Sequence, residues 1–202
     1  MQKKFTYLAL GDSYTIGESV PAEKNFPNQT VHLLRQKNIH ITPPEIIART
    51  GWTTDELSDE IPKYKLSKQY DLVTLLVGVN NQYRGRSAEE YKQHFEELLK
   101  KAIHFAGNRP HHVIVLSIPD YSVTPAGQSL NPQKIAKEID AFNKVNMSVA
   151  EKYKVHYIDI TPESREALND ASLIAKDQLH PSENEYLKWS KKVAAIAEII
   201  LK

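Results

Sequence analysis

Three residues of this 202-residue chain have the types and spacing to attack an acyl group. Ser13 stands in "LALGDSYTIGE", residues 8–18, where an apolar run turns within a few positions into a glycine, an acid and hydroxyl residues. A serine hydroxyl is a weak nucleophile unless a base removes its proton and donors stabilise the oxyanion its attack creates. A histidine oriented by an acid is the natural base. Near the other end of the chain, "KDQLHPSENEY" supplies Asp177 and His180 three residues apart, followed by Pro181 and Ser182. In one tight turn that spacing can bring the carboxylate to the imidazole Nδ1 and leave Nε2 to face Ser13. The chain order Ser, Asp, His is one of several in which unrelated folds assemble this constellation.

The elements that must position these groups can be read from the apolar pattern. Short apolar runs at 5–10, 45–48, 71–78, 111–118 and 155–160 read as five strands. The runs "DLVTLLV" and "VIVLSI" are apolar on both faces, as strands of a covered parallel sheet must be. Helical patterns lie between and after them at about 25–38, 54–60, 87–106, 132–153 and 182–201. This alternation implies βαβ units with right-handed crossovers. The stretch 119–133, with three prolines, reads as the one long irregular piece, standing at the C-terminal edge of the sheet. In open parallel sheets, ligands bind outside the carboxyl ends of the strands where the strand order reverses. With the order 2-1-3-4-5, the ends of strands 2, 1 and 3 are neighbours. They carry "RTGWTT" with Gly51, "GDSYT" with Ser13, and "GVNNQ" with Asn80 and Asn81. The backbone N–H groups of Ser13 and Gly51 and the side-chain amide of Asn80 are then the candidate oxyanion donors.

Composition narrows the partners. At 202 residues and 41% hydrophobic content, the chain can bury roughly 70% of its unfolded surface, and residues 1–202 read as one domain. Lys plus Arg number 26 against 25 Asp plus Glu, and the lysines are spread out, so no field exists to hold a nucleic acid. With no cysteine there is no disulfide, thiolate nucleophile or Cys-type zinc site. The start "MQKKFTYLALGD" faintly resembles a leader, but its apolar run is short and lacks a small-residue cleavage site, so it reads as the first strand. The last apolar stretch, "VAAIAEIIL", is interrupted by Glu198 and far below the roughly 20 residues that span a bilayer. The expectation is a soluble, cytoplasmic protein with no membrane span, its oligomeric state left open.

Four separated motifs together resemble the SGNH hydrolases, the GDSL esterase/lipase family. They are "GDSYT" with Ser13, Gly51 in "RTGWTT", Gly78-x-Asn80, and Asp177-x-x-His180 with Pro181, in the family's order from residue 11 to 181. The resemblance implies a flavodoxin-like three-layer α/β/α fold and hydrolysis of carboxylic esters without metal or organic cofactor. The chain departs from the family pattern at two positions. Asn81 stands where the third block commonly has aspartate, and Gln178 where the last often has glycine. Neither departure removes a catalytic atom; both bear on loop geometry and substrate preference.

Each residue also has a plainer role open to it. Asp12 and Ser13 alone suit a helix cap, Gly51 a turn, Asn80 a loop bond to backbone. The seven histidines other than His180 lack metal-ligand spacing and read as structural or solvated. Asp12, Tyr14, Trp52, Asn81, Tyr83 and Tyr121 fall beside the motifs and are candidate rim residues for a small ester substrate. With no inserted lid, short acyl chains are the expected preference. A rival reading is a phosphate- or nucleotide-binding module using the hydroxyl-rich loop after strand 1. It leaves Asp177 and His180 unexplained, and the loop has neither Gly-Lys-Ser/Thr nor G-x-G-x-x-G. A catalytically silent scaffold on the same fold is the third reading.

Overall fold

The computed structural model describes residues 4–202; residues 1–3, the first part of the leader-like start, lie outside it. In chain order the elements are β1 (Tyr7–Asp12), α1 (Ser13–Ile16), α2 (Phe26–Gln36), β2 (Glu45–Arg49), α3 (Thr54–Glu60), β3 (Leu72–Leu76), α4 (Val79–Tyr83) and α5 (Ala88–Phe105). There follow β4 (Val113–Leu116), α6 (Pro125–Gln128), α7 (Pro132–Tyr153), β5 (His156–Ile158), α8 (Thr161–Glu166) and α9 (Glu183–Leu201), with short 3-10 turns between.

The five strands form one parallel sheet in the order β2-β1-β3-β4-β5. Every residue of β1, β3 and β4 is buried, whereas the outer strands β2 and β5 are partly open. That is why the central runs are apolar at consecutive positions rather than alternating. Right-handed crossovers fix the layers. The step from β1 to β2 runs in the opposite direction to the steps from β2 through β5. Its helix α2 must therefore lie on one face, and α3, α5 and α7 on the other. α9 returns beside α2, where Ser190 Oγ donates to the Phe26 carbonyl at 3.1 Å. Sheet and helices make the three-layer α/β/α arrangement expected from the sequence.

Two expectations need correction. Residues 119–133 are not irregular throughout: Tyr121–Val123 form a 3-10 turn, Pro125–Gln128 form α6 and Pro132 opens α7. Proline breaks a helix interior but suits a first turn, where its missing N–H would have had no partner. Thr124 and Asn131 cap the two helices. His111 and His112, expected to open the fourth strand, lie in a 3-10 turn before it, with His112 Nδ1 2.6 Å from the Asp71 carbonyl.

At the end of β1 the chain folds back sharply. Thr15 in α1 donates its hydroxyl to the Leu76 carbonyl of β3 at 3.3 Å, crossing directly over Gly11. A Cβ on Gly11 would sit 2.0 Å from Thr15 Oγ1 and 2.4 Å from the Leu76 carbonyl oxygen. Only glycine lets the first strand deliver Ser13 to the sheet edge in this way. Replacing Gly11 with alanine should destabilise the protein by about 3 kcal/mol, on the order of 6–12 °C in Tm. Thermal melts of the two proteins check this; an unchanged Tm would mean the turn is looser than described.

Candidate active site

Ser13 is the first residue of α1, held at the C-terminal edge of the sheet by the strand before it. Asp12 caps this short helix, accepting from the Tyr14 N–H at 3.0 Å. The capping role and the surfacing of Ser13 thus belong to the same turn.

His180 lies in the loop before α9. The loop is closed on itself: the Ala175 N–H donates to the His180 carbonyl at 2.8 Å and the Gln178 N–H to the Ala175 carbonyl at 3.0 Å. Gln178 has φ +66°, the left-handed conformation that glycine adopts most easily. Inside the loop, Asp177 Oδ1 accepts from the N–H groups of Leu179 and His180, both at 3.0 Å. Its Oδ2 accepts from the Ser19 hydroxyl at 2.7 Å and faces His180 Nδ1 at 2.6 Å. Partial burial pushes the Asp177 carboxyl up. The four hydrogen bonds outweigh it and hold the group down at about 2, so it is an anion at neutral pH.

An anionic oxygen opposite Nδ1 fixes that nitrogen as the N–H and leaves Nε2 with its lone pair. Nε2 lies 3.0 Å from Ser13 Oγ. The Tyr14 ring packs 5.0 Å from the imidazole, centroid to centroid. One ring therefore connects a carboxylate and a serine hydroxyl, with both contacts at hydrogen-bond length.

A cleft of about 430 Å³ opens over Ser13 and His180. Gly51 and Asn80 line it as well. Gly51 has φ +86° and is the third residue of a turn closed by the Trp52 N–H on the Arg49 carbonyl at 3.2 Å. Asn80 Nδ2 donates one hydrogen to the Trp52 carbonyl at 3.0 Å, and its other hydrogen is free for the cleft. Tyr14, Tyr83 and Tyr121 complete much of the wall, with Val79, Leu130 and Leu179. Tyr83 is 66% exposed and Leu130 55%, so both present apolar surface to solvent at the cleft.

Three sequence candidates for the rim do not line the cleft. Trp52 is buried in the core beneath its loop. Asn81 is fully buried and joins α4 to α3, accepting from the Thr54 N–H at 3.1 Å and donating to its hydroxyl at 2.8 Å. Asp12 is fully buried behind Ser13. Proximity in sequence to a motif does not fix the direction of a side chain, which alternates along a strand and rotates about 100° per residue in a helix. Two residues not singled out from the sequence touch the constellation: Ser19 on Asp177, and Arg84, whose Nη2 donates to the Gly51 carbonyl at 2.7 Å. Ser19 has φ +65° after the Gly17 turn, and from there its hydroxyl reaches Asp177.

No helix among the described residues is long and apolar enough to cross a membrane, and none of their His, Asp and Glu side chains form a group of three that could hold a metal. Residues 9–186 match the GDSL-like Lipase/Acylhydrolase family. No curated protein matches by sequence. Among solved structures, the chain is similar to a lipase/acylhydrolase from Enterococcus faecalis, with a TM-score of 0.75 at 19% identity over 97% of this chain and 95% of that one. It is also similar to TesA, with a TM-score of 0.74 at 18% identity over 97% and 99%. Axe2, an acetylxylan esterase from Geobacillus stearothermophilus, gives a TM-score of 0.73 at 19% identity over 96% and 94%. At these identities the three structures establish the shared fold.

Asp12 generates a prediction of its own. Burial pushes its carboxyl up to about 7, against lowering by backbone N–H groups, and its Oδ2 has no hydrogen-bond partner. A folded-state value above the unfolded 3.8 means the folded protein keeps this proton longer than the unfolded chain does. The resulting stability is fully present below about pH 4 and is lost as pH rises through about 7. Asp12→Asn keeps a capping oxygen and removes the titration. Its stability relative to wild type should rise between pH 4 and 7 and level off above, as read by denaturant midpoints across that range. A difference that does not change with pH would contradict the buried, proton-bearing carboxyl.

Proposed function

Because the chain belongs to the GDSL-like lipase/acylhydrolase family and is a hydrolase of ester bonds, we propose that it acts through an acyl-enzyme on Ser13. The observation that carries the reading is the single imidazole of His180, 2.6 Å from Asp177 Oδ2 and 3.0 Å from Ser13 Oγ, at the floor of an open cleft.

In the forward step, Ser13 Oγ attacks the ester carbonyl carbon while its proton passes to His180 Nε2. The carbonyl oxygen becomes an oxyanion that receives hydrogen bonds from the Ser13 N–H, the Gly51 N–H and Asn80 Nδ2. Asp177 stays ionised and stabilises the imidazolium without taking its proton. Collapse of the tetrahedral intermediate breaks the ester C–O bond, and Nε2 gives its proton to the departing alkoxide. Water then repeats the sequence on the acyl-enzyme, releasing the acid and restoring Ser13. No step draws on a cofactor.

Short acyl chains are the proposed substrates. Behind His180, against Pro181 and Glu185, the space is only about 20 Å³, room for about one water, which offers little to a long acyl chain. The main cleft is open to solvent along its mouth and would enclose an extended chain on part of its surface only. The rival phosphate-binding reading gains no support, since the loop's Thr15 hydroxyl is committed to the Leu76 carbonyl and is not free for a phosphate.

The test is steady-state hydrolysis of p-nitrophenyl esters from acetate to palmitate, with variants. Ser13→Ala should abolish turnover in a folded protein. Asp177→Asn should lower kcat by on the order of 10⁴. Asn80→Ala should lower kcat by about 10²–10³ with little change in KM, because the donor acts on charge that exists only in the transition state. Asn81→Ala should instead lower Tm and cost at most about a few-fold in rate, because its bonds go to Thr54. Reversal of the two asparagines' effects would overturn the oxyanion assignment, and faster turnover of palmitate than of acetate or butyrate would overturn the short-chain preference.

A further inference from the structure

Two of the proposed oxyanion donors sit on different segments, Gly51 in the turn after β2 and Asn80 in α4. Their separation must be held to a fraction of an ångström if both are to meet one oxygen. Residues 50–53 have no regular structure that could hold it. Side chains do so instead. The Gly51 carbonyl accepts from Arg84 Nη2 at 2.7 Å, and the Trp52 carbonyl from Asn80 Nδ2 at 3.0 Å. The Thr53 N–H donates to Glu56 Oε2 at 3.0 Å, and the Thr50 hydroxyl to the Glu18 carboxylate.

Arg84 has a particular place in this set. It follows α4 directly, and its own N–H donates to the Asn80 carbonyl at 3.0 Å, one turn back. Its other nitrogen, Nη1, donates to Glu56 Oε1 at 2.9 Å, and that bond holds the Glu56 carboxyl below its ordinary value. Glu56 thus grips both the guanidinium and the Thr53 N–H. The guanidinium's planar fork sets its two hydrogen bonds at a fixed angle. As an exposed ion pair, Arg84–Glu56 would contribute little to stability. As a strut between Asn80 and the Gly51 turn, it has a geometric role that a salt bridge elsewhere on the surface could not fill.

We infer that Arg84 is a positioning residue for the reaction, fastening the Gly51 turn to α4 so that the Gly51 N–H and the Asn80 amide converge on one oxyanion. The inference rests on the reading of Gly51 and Asn80 as donors, and it says nothing of direct contact between Arg84 and substrate.

Kinetics on p-nitrophenyl butyrate, together with inhibition by an alkyl trifluoromethyl ketone, test it. The ketone adds to the nucleophile as a tetrahedral oxyanion and reports on the hole rather than on ester binding. Arg84→Ala should lower kcat by about 10- to 100-fold with KM within about twofold. The inhibition constant of the ketone should rise by the factor that kcat/KM falls, with Tm little changed. Millimolar guanidinium should restore part of the rate. Arg84→Lys, which supplies a single donor, should recover part of it too. In Asn80→Ala/Arg84→Ala the combined loss should be smaller than the product of the single losses, because both act through one hole. Arg84→Met keeps the aliphatic stem and gives the same measurement if Arg84→Ala does not fold. An unchanged kcat, or a rise in KM alone, would overturn the positioning role. If Asn80→Ala loses rate and Arg84→Ala does not, only Arg84's role fails; if Asn80→Ala is itself silent, the oxyanion reading fails with it.

Discussion

One imidazole must meet a carboxylate three residues away and a hydroxyl 167 residues away at the same time, and much of the chain is arranged around that demand. The near contact is local. Asp177 turns back over its own loop, takes the N–H groups of Leu179 and His180 on one oxygen, and keeps the other for the ring. The far contact depends on the whole fold. β1 brings Ser13 up through the centre of the sheet, while α9, packed beside α2, anchors the end of the His180 loop. Gln29 Nε2 donates to the Glu183 carbonyl at 3.0 Å across those two helices. Ser19 reaches over from the β1 side to Asp177, so the two halves of the site are joined by a second hydrogen bond besides the one through the ring.

The sheet order also brings the three proposed oxyanion donors together. β1 is flanked by β2 and β3, and the loops after these three strands share one edge. On the proposed reading each loop contributes a donor of a different kind: the first N–H of a short helix, an N–H from a glycine turn, and a carboxamide. None of these groups is charged. On this reading the three dipoles are aimed at charge that develops only in the transition state.

Much of this was legible in the sequence because it is carried by short-range patterns. The largely apolar runs at 72–76, broken only by Thr74, and at 113–116 mark buried parallel strands, and the Asp177 to His180 spacing marks a turn that can close on itself. Side-chain direction was not legible. Trp52 lies between Gly51 and Thr53 in sequence, but its ring goes into the core. Asp12 adjoins Ser13 but points back into the protein, and Asn81 adjoins Asn80 but turns to Thr54. Ser19 and Arg84 escaped notice because their importance lies in contacts 158 and 33 residues distant, which no local pattern records. In 119–133 the prolines have two uses: Pro125 and Pro132 open helices rather than break them, and Thr124 and Asn131 directly before them are the capping signals.

The central claim is that Ser13 carries the acyl group because His180 takes its proton. It is tested most directly by peptide mass mapping after brief exposure to an alkyl fluorophosphonate. The account predicts one phosphonyl adduct, on the peptide containing Ser13, and very slow labelling in a folded His180→Ala protein. Rapid labelling of Ser13 without His180, or labelling of a different residue with Ser13 unmodified, would contradict it.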